Sequence, residues 1–155
     1  MPTGQAQGRA WRMNVSAAPL RVLLVEDSAT DALLTELAFN DHAPTFTLRV
    51  VTTGEEGLTV LNSGERVDVL LLDMNLPGMS GADVLREVRS CQRTAHIIAI
   101  ALLGSSSEEA WWRGRGLHPD AFLSKPANPT DVLAAWRTAG ALTLNTPVMA
   151  ERANE

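Results

Sequence analysis

The chain has 155 residues, of which 45% are hydrophobic and 20% are charged, and its formal net charge is −5. This length and composition are typical of one soluble globular domain with a full core, and the acidic balance argues against a nucleic-acid or membrane-surface binder. Cys91 is the only cysteine, which excludes an intramolecular disulfide, and no apolar run approaches the ~18 residues of a membrane span.

The two ends of the chain lack a clear structural period. Residues 1–18 mix Gly, Gln, Arg and Ala without a continuous apolar core, so they are predicted to be a mobile N-terminal arm rather than a secretory signal. We therefore expect a cytoplasmic protein. Residues 19–140 are predicted to form one domain, and residues 141–155 a tail that is too short for an output domain.

Strand and helix patterns alternate along the predicted domain. Five short apolar segments are predicted to be strands: Leu20–Val25, Phe46–Val51, Val69–Leu72, Ile97–Leu103 and Ala121–Ser124. A helix pattern follows each strand, with start signals at Ser28, Thr53 or Gly54, Ser80, Ser105–Ser107 and Asn128–Pro129. Such alternation predicts an α/β domain with a parallel sheet and helices on both of its faces.

Two helices carry features that bear on packing. In the first, Leu33, Leu34, Leu37 and Ala38 recur at three- and four-residue spacing and make one apolar face. In the fourth, Trp111 and Trp112 are adjacent and point about 100° apart, so they cannot both face the core. We expect one tryptophan to be buried and the other to be exposed at an interface.

The third strand runs directly into a carboxylate. The apolar residues Val69–Leu72 precede Asp73, and the turn signal Pro77–Gly78 follows. Asp73 is thus predicted at the carboxyl end of a buried strand, where open α/β sheets place their sites. A buried carboxylate is costly unless it is paired or holds a metal. The alternative is an ordinary helix cap or loop aspartate.

Other charged residues are predicted to meet Asp73. Glu26 and Asp27 follow the first strand and Lys125 follows the fifth, and parallel strands end at the same sheet edge. Three clustered carboxylates repel one another, and a hard divalent cation such as Mg²⁺ relieves that repulsion. An aspartate beside a metal and a lysine is suited to attack phosphorus, because both cations offset the charge of the transferring group.

These motifs resemble the receiver domain of two-component response regulators. The resemblance rests on Glu26–Asp27, on Asp73 with the turn Asn75–Gly81, and on Lys125–Pro126. It implies a flavodoxin-like (βα)5 doubly wound fold with strand order 2-1-3-4-5, and an Asp73 that accepts a phosphoryl group from a sensor histidine kinase. It also implies that Lys125 pairs with the phosphoryl oxygens. The implied Mg²⁺ ligands are Glu26, Asp27, Asp73 and the backbone carbonyl of Asn75.

One position departs from the receiver pattern. Leu103 stands where receivers usually carry Thr or Ser, and leucine cannot hydrogen-bond a phosphoryl group. Ser105 is either a helix cap or a substitute phosphoryl contact. Phe122 matches the aromatic partner of the usual switch but lacks a hydroxyl. The resemblance thus leaves open how phosphorylation would be signalled.

The resemblance implies a stand-alone signalling module that catalyses only its own phosphorylation and dephosphorylation. The turn and tail are similar to those of single-domain regulators that partner phytochrome-type kinases. The family commonly dimerises through the face of helix four, strand five and helix five, so we expect a homodimer there, or else docking, phosphate relay or a phosphate sink. No nucleic-acid or membrane partner is expected.

Alternatives remain on the same residues. A pseudo-receiver that binds partners without phosphorylation is favoured by Leu103 and opposed by the intact acids and Lys125. A phosphatase of the haloacid-dehalogenase type would need a second aspartate as general acid where Asn75 stands. A flavin carrier would need a phosphate cradle after strand one, where Glu26–Asp27 would repel phosphate.

Overall fold

The computed structural model describes residues 18–42, 45–105 and 107–140. The strands are β1 (Leu20–Val25), β2 (Phe46–Val51), β3 (Val69–Asp73), β4 (Ile98–Leu103) and β5 (Ala121–Ser124). The helices are α1 (Ala29–Asn40), α2 (Gly54–Asn62), α3 (Gly81–Ser90), α4 (Ser107–Arg113) and α5 (residues 129–140). The predicted arm, apart from Ala18, and the predicted tail lie outside the described residues. None of the described helices combines the length and apolar character that crossing a bilayer requires.

The five strands form one parallel sheet in the order β2-β1-β3-β4-β5, which confirms the predicted fold. β1 pairs with both β2 and β3, so the chain reverses its direction of travel across the sheet between β1 and β3. In such sheets the carboxyl ends of the strands around this reversal form the binding crevice. The topology therefore places the ends of β1 and β3 side by side.

Both faces of the sheet are covered, because alternate residues of β3 enter different cores. Leu70 and Leu72 pack in one cluster with α2, α3 and α4, whereas Val69 and Leu71 pack in a second cluster with α1 and α5. Every residue of β3 is buried. Each fully buried Leu or Val contributes about 1.5–3 kcal/mol, so β3 is a rigid base for the aspartate at its end.

Helix α1 forms as predicted, but its leucine face points to solvent. Leu33, Leu34 and Leu37 are 54%, 47% and 54% exposed, and we call these three residues the leucine ridge. The buried side is formed by Ala32, Thr35 and Phe39. The expected apolar face is therefore not the packed face, because residues 32, 35 and 39 also share one side of the helix and the small Ala32 fits against the sheet.

Aromatic packing holds α1 in this orientation. The rings of Phe39 and Phe46 meet edge to face with centroids 5.0 Å apart, and both side chains are buried. Such pairs add about 0.5–1.5 kcal/mol beyond their buried area. Turning α1 to bury the leucine ridge would break this pair.

A buried leucine of β3 and an exposed leucine of α1 should contribute differently to the free energy of unfolding. Leu71→Ala should lower the free energy of unfolding by about 2–5 kcal/mol, because it leaves a cavity under the sheet. Leu37→Ala should change it by less than about 0.5 kcal/mol, because that side chain is exposed. Urea unfolding followed by circular dichroism measures both. Equal losses would contradict the assigned orientation of α1.

Candidate functional site

Three strand ends bring the charged residues together. Glu26 and Asp27 directly follow β1, Asp73 ends β3 and Lys125 directly follows β5. The backbone N–H of Glu26 donates to Val51 O at 3.0 Å, and that of Lys125 donates to Leu103 O at 2.9 Å, so ladder-like bonds extend past the strands. Carboxylate oxygens of Glu26, Asp27 and Asp73 all lie within 4.8 Å of one another. The structure thus brings together the predicted acids.

Lys125 is the cation at the centre of this cluster. Its Nζ lies 3.0 Å from Asp73 Oδ2, 3.3 Å from Glu26 Oε1 and 3.3 Å from Asp31 Oδ2. Burial by itself would lower the pKa of the ammonium, but the hydrogen bond and charge of Asp73 outweigh it and raise that pKa above its usual range. Lys125 is therefore cationic at any physiological pH.

Asp31 belongs to this site, although the sequence suggested only a favourable acid in the first turn of α1. The signal was its position, since a helix that starts right after Glu26 and Asp27 keeps its first turn beside them. Ser28 caps that helix by accepting from the Asp31 N–H at 3.2 Å, and the Ser28 N–H donates to Glu26 Oε2 at 3.3 Å. The cap thus ties α1 to the acid cluster.

The two buried carboxyls have opposite proton affinities. Burial, followed by its hydrogen bond and charge interaction with Asp73, raises the pKa of Glu26 to about 7. Burial would also raise the pKa of Asp73, but hydrogen bonds from Glu26, the Asn75 N–H and Lys125 hold it below its usual value. In the metal-free protein below about pH 7, the pair therefore holds one proton on Glu26, and Asp73 is the ionised member.

The donor set fits Mg²⁺. The acidic oxygens come from hard carboxylate ligands, and Asp27 and Asn75 are exposed, which leaves room for the water ligands that Mg²⁺ retains. Asn75 is held near the cluster because its N–H donates to Asp73 Oδ1 at 3.0 Å. Bound Mg²⁺ would replace the proton of Glu26 and relieve the repulsion between the carboxylates. The role of the Asn75 carbonyl as a ligand stays a prediction.

Two glycines shape the loop between β3 and α3. Gly78 has φ +69°, a backbone conformation that residues with a Cβ rarely adopt. A Cβ on Gly81 would lie 2.5 Å from Asp73 O and 2.6 Å from Met74 Cα. Only glycine therefore allows α3 to start this close to Asp73, which explains the Pro-Gly-x-x-Gly spacing of the turn.

The predicted switch residues lie in unlike environments. The Leu103 side chain is buried in the core, so it offers no polar group to the site. The Ser105 hydroxyl is exposed and lies 3.0 Å from the Ser107 hydroxyl. Phe122 is half-buried, and the Arg113 guanidinium lies 4.7 Å from its ring centroid. Their roles in switching stay predictions.

The sequence leaves open which of the two adjacent tryptophans is exposed, and the structure shows that it is Trp111. Trp112 is buried in the core, whereas Trp111 is 53% exposed and its ring carries the Arg115 guanidinium 4.0 Å from the centroid. The two rings meet edge to face, 4.5 Å apart. Trp111 is thus the tryptophan available to a partner, and its interface role stays a prediction.

Glu108 is a second residue that the sequence did not single out. Its Oε2 accepts from Asn75 Nδ2 at 3.1 Å, and its Oε1 accepts from the N–H groups of Gly104 and Ser105 at 2.9 and 3.2 Å. The Asn75 hydrogen bond is the main cause that lowers the pKa of Glu108. The sequence suggested only an acid at a helix start, because its partner Asn75 is 33 positions away.

Fold and site together define a receiver domain. Residues 22–137 match the family model of the response regulator receiver domain. The chain therefore belongs to the response regulator receiver family.

Known relatives agree with this assignment. The chain is 34% identical over 115 residues to the cell cycle response regulator CtrA of Brucella ovis, covering 74% of this chain and 47% of CtrA, so it spans about half the length of this curated relative. The bacteriophytochrome response regulator AtBRR is similar in structure, with a TM-score of 0.72, 30% identity and coverage of 79% of this chain and 93% of AtBRR. The phosphorylated cyanobacterial phytochrome response regulator RcpA has a TM-score of 0.63, 27% identity and coverage of 83% and 96%.

Stability should respond to Mg²⁺ in a pH-dependent way. Because the pKa of Glu26 is raised to about 7, its contribution to stability is present at low pH and is lost as pH rises from about 4.5 to 7. Mg²⁺ must displace this proton, so at a fixed concentration it should raise Tm more at pH 8 than at pH 5. Mg²⁺ at 100 times its Kd should raise the free energy of unfolding by about 2.7 kcal/mol.

Thermal unfolding with Mg²⁺ or chelator at both pH values measures this effect. In Glu26→Gln the stability of the metal-free protein should no longer fall across this pH window. Equal Mg²⁺ shifts at pH 5 and pH 8 in the unsubstituted protein would show that the two carboxyls do not share a proton.

Proposed function

We propose that this receiver accepts a phosphoryl group on Asp73 from a sensor histidine kinase, with Mg²⁺ bound at Glu26, Asp27, Asp73 and the backbone carbonyl of Asn75. The observation that carries the proposal is a buried Asp73 whose Oδ2 lies 3.0 Å from Lys125 Nζ. The acidic cluster around it supports the metal. Apart from its own phosphorylation and dephosphorylation, the protein catalyses no reaction in this proposal.

The chemistry follows from these contacts. A carboxylate oxygen of Asp73 attacks phosphorus, the P–N bond of the donor phosphohistidine breaks, and its electron pair returns to the imidazole. Lys125 is positioned to hydrogen-bond the phosphoryl oxygens in place of Asp73 Oδ2, and Asp31 and Glu26 keep its ammonium beside the reacting group. Mg²⁺, when bound, supplies charge neutralisation for the same oxygens.

The leucine ridge is the surface that we assign to the kinase. It lies on α1, whose first turn is tied to the acid cluster, so a protein bound there reaches Asp73. Leucines that are half exposed and adjacent on one helix favour an apolar protein partner over solvent. The likeness to AtBRR and RcpA supports a phytochrome-type kinase as that partner.

The output surface is proposed at the β5 edge of the sheet, where α4 covers one face and α5 covers the other. Trp112 of α4 packs in the core cluster on the face that α1 does not cover. The exposed Trp111 supports dimerisation through α4, β5 and α5.

A cytoplasmic location fits a chain whose single cysteine forms no internal disulfide.

The first test is direct phosphorylation. With Mg²⁺ and acetyl phosphate, intact mass should show the gain of one phosphoryl group in the wild type and in Asp131→Asn, an exposed aspartate of α5. Asp73→Asn should show none, because it removes the nucleophile. No gain in the wild type, with Mg²⁺ binding confirmed by calorimetry, would favour the pseudo-receiver. Many turnovers on a generic phosphate ester would favour the phosphatase.

The two surfaces predict separable losses. Leu33→Gln combined with Leu37→Gln should slow transfer from a phosphorylated phytochrome-type histidine kinase at least about tenfold, equivalent to ~1.4 kcal/mol, while acetyl phosphate labelling stays unchanged. Trp111→Ala should leave transfer unchanged and weaken self-association in light scattering. A kinase that labels the double variant at the wild-type rate would remove the leucine ridge from its docking surface.

A further inference from the structure

A hydrogen-bonded path leads from Asp73 to α4 without passing through Leu103. Asp73 Oδ1 accepts from the Asn75 N–H at 3.0 Å, and the Asn75 side chain donates to Glu108 Oε2 at 3.1 Å. Glu108 Oε1 then accepts from the N–H groups of Gly104 and Ser105. The Glu108 carboxylate thus holds the loop after β4 against Asn75, two residues beyond the phosphoryl acceptor Asp73.

The position of Glu108 makes this path sensitive to charge. Glu108 is linked to Asp73 through one residue, Asn75, whose backbone N–H donates to Asp73 and whose side chain donates to Glu108, so the two negative charges lie near each other. An aspartyl phosphate carries about two negative charges where the carboxylate carried one, so it strengthens the repulsion on the Glu108 carboxylate. The added charge therefore acts against the hydrogen bond between Glu108 and Asn75.

We propose that Glu108 is a positioning residue that couples phosphorylation of Asp73 to the β4–α4 loop, in place of the missing hydroxyl at Leu103. This inference rests on the proposed function. Without a phosphoryl group, Glu108 holds the loop to Asn75. With one, the carboxylate is driven away and Gly104 and Ser105 lose their acceptor.

Helix α4 transmits the release to a surface. Glu108 and Glu109 are adjacent on α4, and Glu109 pairs with Arg113 at 2.8 Å. Arg113 lies over Phe122 of β5, and the exposed Trp111 is on the same helix. A loop that releases the start of this seven-residue helix therefore changes the face on which Trp111 lies.

Hydrogen exchange of residues 104–113 tests the ground-state contact. Glu108→Ala should raise exchange of this segment roughly threefold to tenfold in the unphosphorylated protein, because two backbone N–H groups lose their acceptor. Glu109→Ala is the matched control and should change it little, since it removes only an exposed ion pair. If hydrogen exchange of residues 104–113 is equally fast in Glu108→Ala and Glu109→Ala, Glu108 does not hold the loop and the inference is wrong.

The role of the negative charge of Glu108 is tested with Glu108→Gln, by measuring hydrogen exchange before and after treatment with Mg²⁺ and acetyl phosphate. The Gln carbonyl still accepts from the loop, so exchange before treatment should match the wild type. Phosphorylation should then raise exchange of residues 104–113 in the wild type and leave it unchanged in Glu108→Gln. A merely structural Glu108 would instead give equal rises in both.

Intact mass on the same samples separates the two levels of the proposal. If the wild type gains a phosphoryl group and its loop exchange does not rise, the coupling is overturned and the proposed function stands. If the wild type gains none, the proposed function is overturned and the coupling falls with it. Phosphorylated wild type with a rise that Glu108→Gln lacks supports both.

Discussion

The contact between Lys125 and Asp73 is the interaction on which the site depends. Glu26 and Asp73 are buried side by side at the sheet edge, and two such carboxylates cannot both ionise without a cation. Lys125 contacts both of them and also Asp31, so it joins the ends of β1, β3 and β5. The residual excess of negative charge is what makes the site suited to Mg²⁺, and through Mg²⁺ to a phosphoryl group.

The sheet makes this arrangement rigid. β3 is buried along its whole length, so Asp73 is presented from a strand that cannot shift without exposing core leucines. Beyond the strand, Gly81 lets α3 begin within van der Waals reach of the Asp73 carbonyl, a position that any larger residue would block. A rigidly held aspartate beside a lysine and other carboxylates is an arrangement suited to phosphoryl transfer, because catalysis there is mostly positioning and electrostatics.

The two surfaces proposed for input and output lie on different helices. Helix α1 carries the leucine ridge on the sheet face that it shares with α5, whereas Trp111 belongs to α4 on the other side. The input surface that we propose therefore borders Glu26 and Asp31, and the proposed output surface borders Asn75 and Glu108. Asp31 of α1 contacts Lys125, and Glu108 of α4 is hydrogen-bonded to Asn75, so a change of charge at Asp73 can act on both surfaces.

The sequence by itself determined the five strands, the helix starts, the strand order implied by the family and the cluster of Glu26, Asp27, Asp73 and Lys125. These follow from apolar runs, capping residues and the rule that parallel strands end at one edge. Only the tertiary structure decided which side of α1 faces the sheet, which tryptophan is buried, and that Asp31 and Glu108 join the site. The physical reason is that periodicity defines the faces of a helix, whereas the side that packs is chosen by distant contacts such as Phe39 with Phe46 and Glu108 with Asn75.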